Sequence, residues 1–137
     1  MRTLHLGVLD VLYKGGAKGQ TTFGVASILE DKYGLFSAFW DNQGQAVVDL
    51  LVRDLERAMT TGEKPRFAGA LSECEHLFRR FISSQEAERV GIPGTPTQAA
   101  LLGVNHRLAH PYAKANPRRP SFRDTGLLEA SFKAWIT

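Results

Sequence analysis

Cysteine is nearly missing from this chain: Cys74 is the only one in 137 residues. An intramolecular disulfide is therefore excluded, and a reducing compartment fits. Long hydrophobic runs are missing too. The N-terminus has one arginine, no apolar run of signal-peptide length, and polar or glycine residues by position 14, so neither a secretion signal nor a transmembrane helix is expected. Charge of one sign is missing from one stretch alone. From Arg89 to Arg123 there is no acidic residue, while Arg89, Arg107, Lys114, Arg118, Arg119 and Arg123 stand in it with five of the six prolines. Aromatics are scarce there as well. Tyr112 and Phe122 offer little for base stacking, which argues against sequence-specific reading of a nucleic acid.

What is present is ordinary for a soluble globular domain: 43% hydrophobic and 23% charged residues. A chain of this length buries roughly two-thirds of its unfolded surface, so one domain spanning 1–137 is expected. The net charge of +3 with a pI near 9.2 is mild. Residues 89–123 carry +6, and the eleven basic and fourteen acidic side chains elsewhere sum to −3. Such a split marks a surface that meets something anionic, or a neighbouring subunit.

The patterning predicts a small α+β domain with terminal β-strands, three main helices and a long irregular basic C-terminal arm over 89–123. Thr3–Tyr13 is apolar on both faces and reads as a buried strand. Thr21 or Thr22 caps a helix running to about Tyr33, with Phe23, Ile28 and Leu29 as inward candidates and Gly34 as its stop. Leu35–Trp40 is apolar without a clear period. Asp41 then caps a helix from about Asn42 to Thr60, with Val47, Leu51, Leu55, Ala58 and Met59 as its buried stripe. A third helix runs from about Phe67 to Ile82 with Leu71, Cys74, Phe78 and Phe81 on one side. Ser83 and Glu86 match a capping box. Thr95, Pro96 and Gln98 fit the start of a short helix over Thr97–Leu102. Pro111, Pro117 and Pro120 block a helix beyond Gly103. Leu128, Ala130, Phe132, Ala134 and Ile136 alternate with polar residues, so Leu127–Ile136 reads as a half-buried strand that could share a sheet with the first.

No motif assembles a catalytic, cofactor or metal site. Lys14–Thr22 has a glycine-rich loop before a helix, but Lys18 is followed by Gly19, and the phosphate-binding pattern with lysine just before Ser/Thr is absent. A connecting loop is expected. Asp124-Thr125-Gly126 spells the tripeptide of aspartic proteases, yet it lies too near the end for the strands that would build a cleft; Asp124 and Gly126 are expected to shape a turn. His106 and His110 have zinc spacing, but Pro111 forces His110 out of helical geometry and no acidic or cysteine ligand is near. Cys74 reads as core. Glu30–Asp31, Glu73 with Glu75, and Glu86 with Glu88 read as solvated helix faces.

Three readings of the basic arm follow: a solvated loop, a salt-sensitive clamp on nucleic-acid phosphates, or a strap lying on a neighbouring subunit. Prolines favour the strap, because a stiffened segment loses less entropy on docking. Arg107, Lys114, Arg118, Arg119 and Arg123 are the candidate subunit-interface or DNA-channel residues.

Two blocks carry a resemblance: Gly103-Val-Asn-His-Arg-Leu-Ala-His-Pro-Tyr-Ala, and Asn116 to Ile136, where Arg/Pro-rich sequence precedes Pro-Ser-Phe, Asp-Thr-Gly-Leu and an alternating segment ending in Ala-Trp-Ile. They resemble C-terminal stretches of small tailed-bacteriophage virion proteins of the neck, head–tail connector or tail-completion type. That resemblance implies a structural, non-enzymatic protein assembled in the host cytoplasm into a homo-oligomeric ring around the DNA channel. Its implied partners are other copies of itself and adjacent portal, connector or tail-tube proteins, with possible non-specific contact to genomic DNA and none to membrane. The alternative is a small basic nucleic-acid-binding protein.

Overall fold

The computed structural model describes residues 1–13, 19–105, 108–123 and 126–137. The α+β expectation holds: the two ends of the chain form a two-stranded antiparallel sheet, with helices packed on it. Strand β1 (Leu4–Val8) pairs with β2 (Phe132–Ile136), Leu6 opposite Ala134. Thr3 and Thr137 exchange both backbone hydrogen bonds at 2.9 and 3.0 Å, and Leu9 N–H donates to the Ser131 carbonyl at 2.8 Å. In an antiparallel ladder this parity turns the peptide groups of Leu4, Leu6 and Val8 to the outer edge of β1, and those of Phe132, Ala134 and Ile136 to the outer edge of β2. Side chains alternate independently of that: Leu4, Leu6 and Val8 pack on the core. His5 stacks on Trp135 across the strands, ring centroids 5.3 Å apart.

β1 is shorter than the Thr3–Tyr13 expected. Thr22, fully buried, donates its hydroxyl to the Leu9 carbonyl at 2.5 Å and accepts from Val11 N–H at 2.8 Å. Residues 9–11 are thereby tied to the next helix instead of extending the ladder. That helix, α1 (Thr22–Tyr33), is capped by Thr21, whose side chain accepts from Gly24 N–H, and closes on Gly34 at φ 62°. Its inward face is Thr22, Ala26 and Leu29. Phe23 and Ile28, expected inward, are 62% and 60% exposed, because they lie well round the helix from that face.

α2 (Leu35–Thr61) corrects the expected start at Asn42: Leu35–Trp40 is its opening, and Asp41 caps nothing. Glu30, at the end of α1, accepts the Phe36 and Ser37 N–H groups at 2.7 and 3.2 Å. The cap comes from the preceding helix, so no local signal marks the boundary. Burial would raise the Glu30 carboxyl, but the Ser37 hydroxyl and these two N–H groups outweigh it and hold it below its ordinary value. Leu35 and Phe39 are fully buried as a result.

α3 (Ala68–Ser83) returns antiparallel to α2 and supplies Cys74, Phe78 and Phe81. Phe78 stacks on Phe132 at 4.0 Å, and Phe39 meets Phe78, Phe81 and Phe132 edge-on. This aromatic cluster joins α2, α3 and β2. Burial, with Glu75 adding to it, pushes the Cys74 thiol up to about 11, as befits a core residue.

The capping box at Ser83 does not form. Ser83 ends α3, and α4 (Glu86–Arg89) follows Gln85 in left-handed geometry at φ 63°. α5 (Gln98–Leu101) is capped by Thr97, whose side chain accepts from Ala100 N–H, not by Thr95. The expected strand Leu127–Ile136 is half helix. Leu127–Ser131 forms α6, and only Phe132–Ile136 is extended. The change of period from 2 to 3.6 buries Glu129 and Ser131 and leaves Ala130 outside, the reverse of the alternating pattern.

Candidate functional site

The arm is irregular between α5 and α6, as its prolines require, but it is held to its own chain at several points. Glu88, on α4, is the main anchor. Its Oε2 meets Arg118 at 2.7 Å, and its Oε1 accepts from the Ser121 hydroxyl at 2.6 Å and the Ser121 N–H at 3.0 Å. Burial would raise this carboxyl; Ser121 first, and Arg118 second, bring it below its ordinary value of 4.5. Ser121 also accepts from Thr97 N–H at 3.0 Å, which ties the start of α5 to the same point.

Arg119 works through backbone. Its Nε donates to the Val104 carbonyl, and its guanidinium reaches the Pro120 and Arg123 carbonyls at 3.1 and 2.8 Å. Arg123 pairs with the buried Glu129 at 2.5 Å. Gly103 stands where a Cβ would collide with the Pro117 and Asn116 carbonyl oxygens, and at φ 70°, so the arm crosses it in a way only glycine permits. Phe122 sits edge-on against Tyr33 of α1, ring centroids 5.0 Å apart.

Of the predicted interface cations, Arg118, Arg119 and Arg123 are thus committed to partners within the chain. Lys114 is exposed and has no ion pair among the described residues. Arg107 lies outside the described residues, as do His106, Asp124 and the 14–18 loop. Gly126, the other half of the expected turn, adopts left-handed geometry at φ 78° directly before α6. No cluster of three metal-ligating side chains occurs among the described residues, and no described helix is long and apolar enough to cross a membrane.

The carboxylates read as solvated faces are the residues the sequence hid. One member of each pair turns inward and accepts hydrogen bonds: Glu30 on α2, Glu88 on the arm, and Glu75 on Ala134 N–H of β2 at 3.2 Å. Glu75 also sits between Arg79 at 3.6 Å and Lys133 at 3.5 Å. Nothing in their local sequence separates Glu75 from Glu73 or Glu88 from Glu86. Apart from Arg79, one turn on from Glu75, the partners of these two are thirty or more residues away, beyond the reach of periodicity.

Two apolar surfaces stand out among the described residues. On α2, Val48, Val52 and Leu55 are about 40% exposed and Met59 is 84% exposed. Their four-three-four spacing lays them along one stripe, beside the face of Gly44, Val47 and Ala58 that is buried. Leu55 and Met59 were expected in the buried stripe; the hairpin with α3 takes Val47 and Ala58 and leaves these two outside. The second surface is a groove of about 660 Å³ between β1, α1 and the start of α2. No family model, curated protein or solved structure matches the chain.

Proposed function

We propose that this protein is a structural subunit of a tailed-phage virion that self-assembles into a ring at the head–tail junction or tail end. The observation that carries self-assembly is the exposed α2 stripe. Val48, Val52, Leu55 and Met59 repeat at the spacing of a helix–helix seam while the helix already spends a separate face on its own core. A contiguous apolar strip of this kind favours burial against another copy. Placement in a virion rests on the resemblance of Arg118–Ile136 and Gly103–Ala113 to neck and tail-completion proteins. The arm contributes a rigid outer surface, since Glu88 and Glu129 hold it in place before any partner arrives.

Light scattering and electron microscopy of the purified protein test this reading, with Val52→Lys combined with Leu55→Lys as the probe. Both positions are exposed, so circular dichroism should stay native while the ring falls to monomer. A wild-type protein that remains monomeric, alone and with phage tail or head particles, would overturn the proposal.

A further inference from the structure

The two edges of the sheet are treated differently. The outer edge of β2 is closed at Ala134 by the Glu75 carboxylate. Along β1 the outward peptide groups of Leu4, Leu6 and Val8 meet no partner among the described residues. Exposed edges are normally protected by lysine, proline, a bulge or a covering element. β1 reads Leu-His-Leu-Gly-Val and has none of these.

The groove lies directly beside that edge. Leu6, Gly7 and Val8 form one wall, Phe36 and Phe39 belong to its floor, and Phe23 and Trp40 stand exposed on its far side. Its rim is acidic. Glu30 is already occupied by Ser37 and Phe36, but Asp31 and Asp41 are exposed and pair with no cation among the described residues.

We infer that β1 and this groove accept an extended segment of another protein as a third strand. Three features fix its chemistry. Outward peptide groups at every second residue require an extended polypeptide backbone. The aromatic floor takes apolar side chains at alternate positions of that backbone. The Asp31 and Asp41 carboxylates take lysine or arginine further along the same face. A second copy of β1 would satisfy the edge, but a two-fold pairing brings the same carboxylate rim against itself, which disfavours it. The open edge and groove carry this independently of any ring.

The probe is a synthetic octapeptide with valine, valine, lysine and lysine at alternate positions and threonine between them, added to the full-length protein. Calorimetry should show saturable one-to-one binding, and amide exchange should slow at Leu4, Leu6 and Val8. Three controls should each weaken binding at least tenfold: N-methylation of the peptide on its edge-facing amides, glutamate in place of both lysines, and the protein variant Asp31→Lys with Asp41→Lys. Equal binding of the N-methylated peptide would overturn strand addition, and absence of binding would overturn the site. Protection of the same amides by self-association without peptide would give the edge to a second copy and likewise overturn the inference.

Discussion

The outer edge of β2 is met at Ala134 by a carboxylate, whereas the outer edge of β1 meets no partner among the described residues. On the closed side, carboxylates from α3, α4 and α6 reach across to seal a strand edge and fasten an arm: Glu75 to Ala134, Glu88 to Arg118 and Ser121, Glu129 to Arg123. On the open side, the equivalent strand edge has no such acceptor among the described residues, and the exposed carboxylates Asp31 and Asp41 pair with no cation among them. Three of the cations in the C-terminal third, Arg118, Arg119 and Arg123, are thus paired or bonded to backbone within the chain. The unspent acidic charge lies next to an unspent edge. Alongside the exposed Lys114, the uncovered features include an apolar stripe on α2 and two acidic residues beside β1.

The largest expected effect erases the contrast altogether. Phe132 begins β2, packs in the aromatic cluster and lines the groove, so Phe132→Ala should cost about 4 kcal/mol, read from the denaturation midpoint. Glu88→Ala should open the closed side alone. It strands Arg118 and the Ser121 N–H and hydroxyl for a loss of about 2 kcal/mol, discounted because Arg118 is half exposed. Limited proteolysis should then cut within 103–123 while the helices stay protected.

Acid should act in the same place. Glu88 and Glu30 both lie below their ordinary 4.5 when folded, so the stability they add is present above that value and is lost as pH falls through their folded-state values. Amide exchange in the arm and at the start of α2 should rise in that range, and in Glu88→Gln the arm should lose that dependence. Glu75→Ala should cost about 1 kcal/mol and leave β2 with an edge like that of β1, which added amide exchange at Ala134 would reveal.

Much of the fold is legible where residues close in sequence decide the outcome. Thr21 and Gly34 bracket α1, Gly62 ends α2, and the Leu71, Cys74, Phe78 and Phe81 spacing sets the buried side of α3. The boundary at Leu35 is not legible, because its cap is Glu30 of another helix. The last segment misled for a different reason. Over Leu127–Ser131 a helical turn and an alternating strand are both compatible with the pattern, and it is the helix that buries Glu129, where it pairs with the exposed Arg123.

By itself, the sequence determined the class of the domain, its three main helices, the pairing partners available to its terminal strands, and an arm too rich in proline to be regular. Tertiary structure alone decided which carboxylates turn inward, which arginines are spent on them, and which apolar residues of α1 and α2 stay uncovered. The physical reason is range. Propensity and periodicity act over a few residues, whereas hydrogen bonding of a half-buried carboxylate depends on donors that only folding brings within about 3 Å.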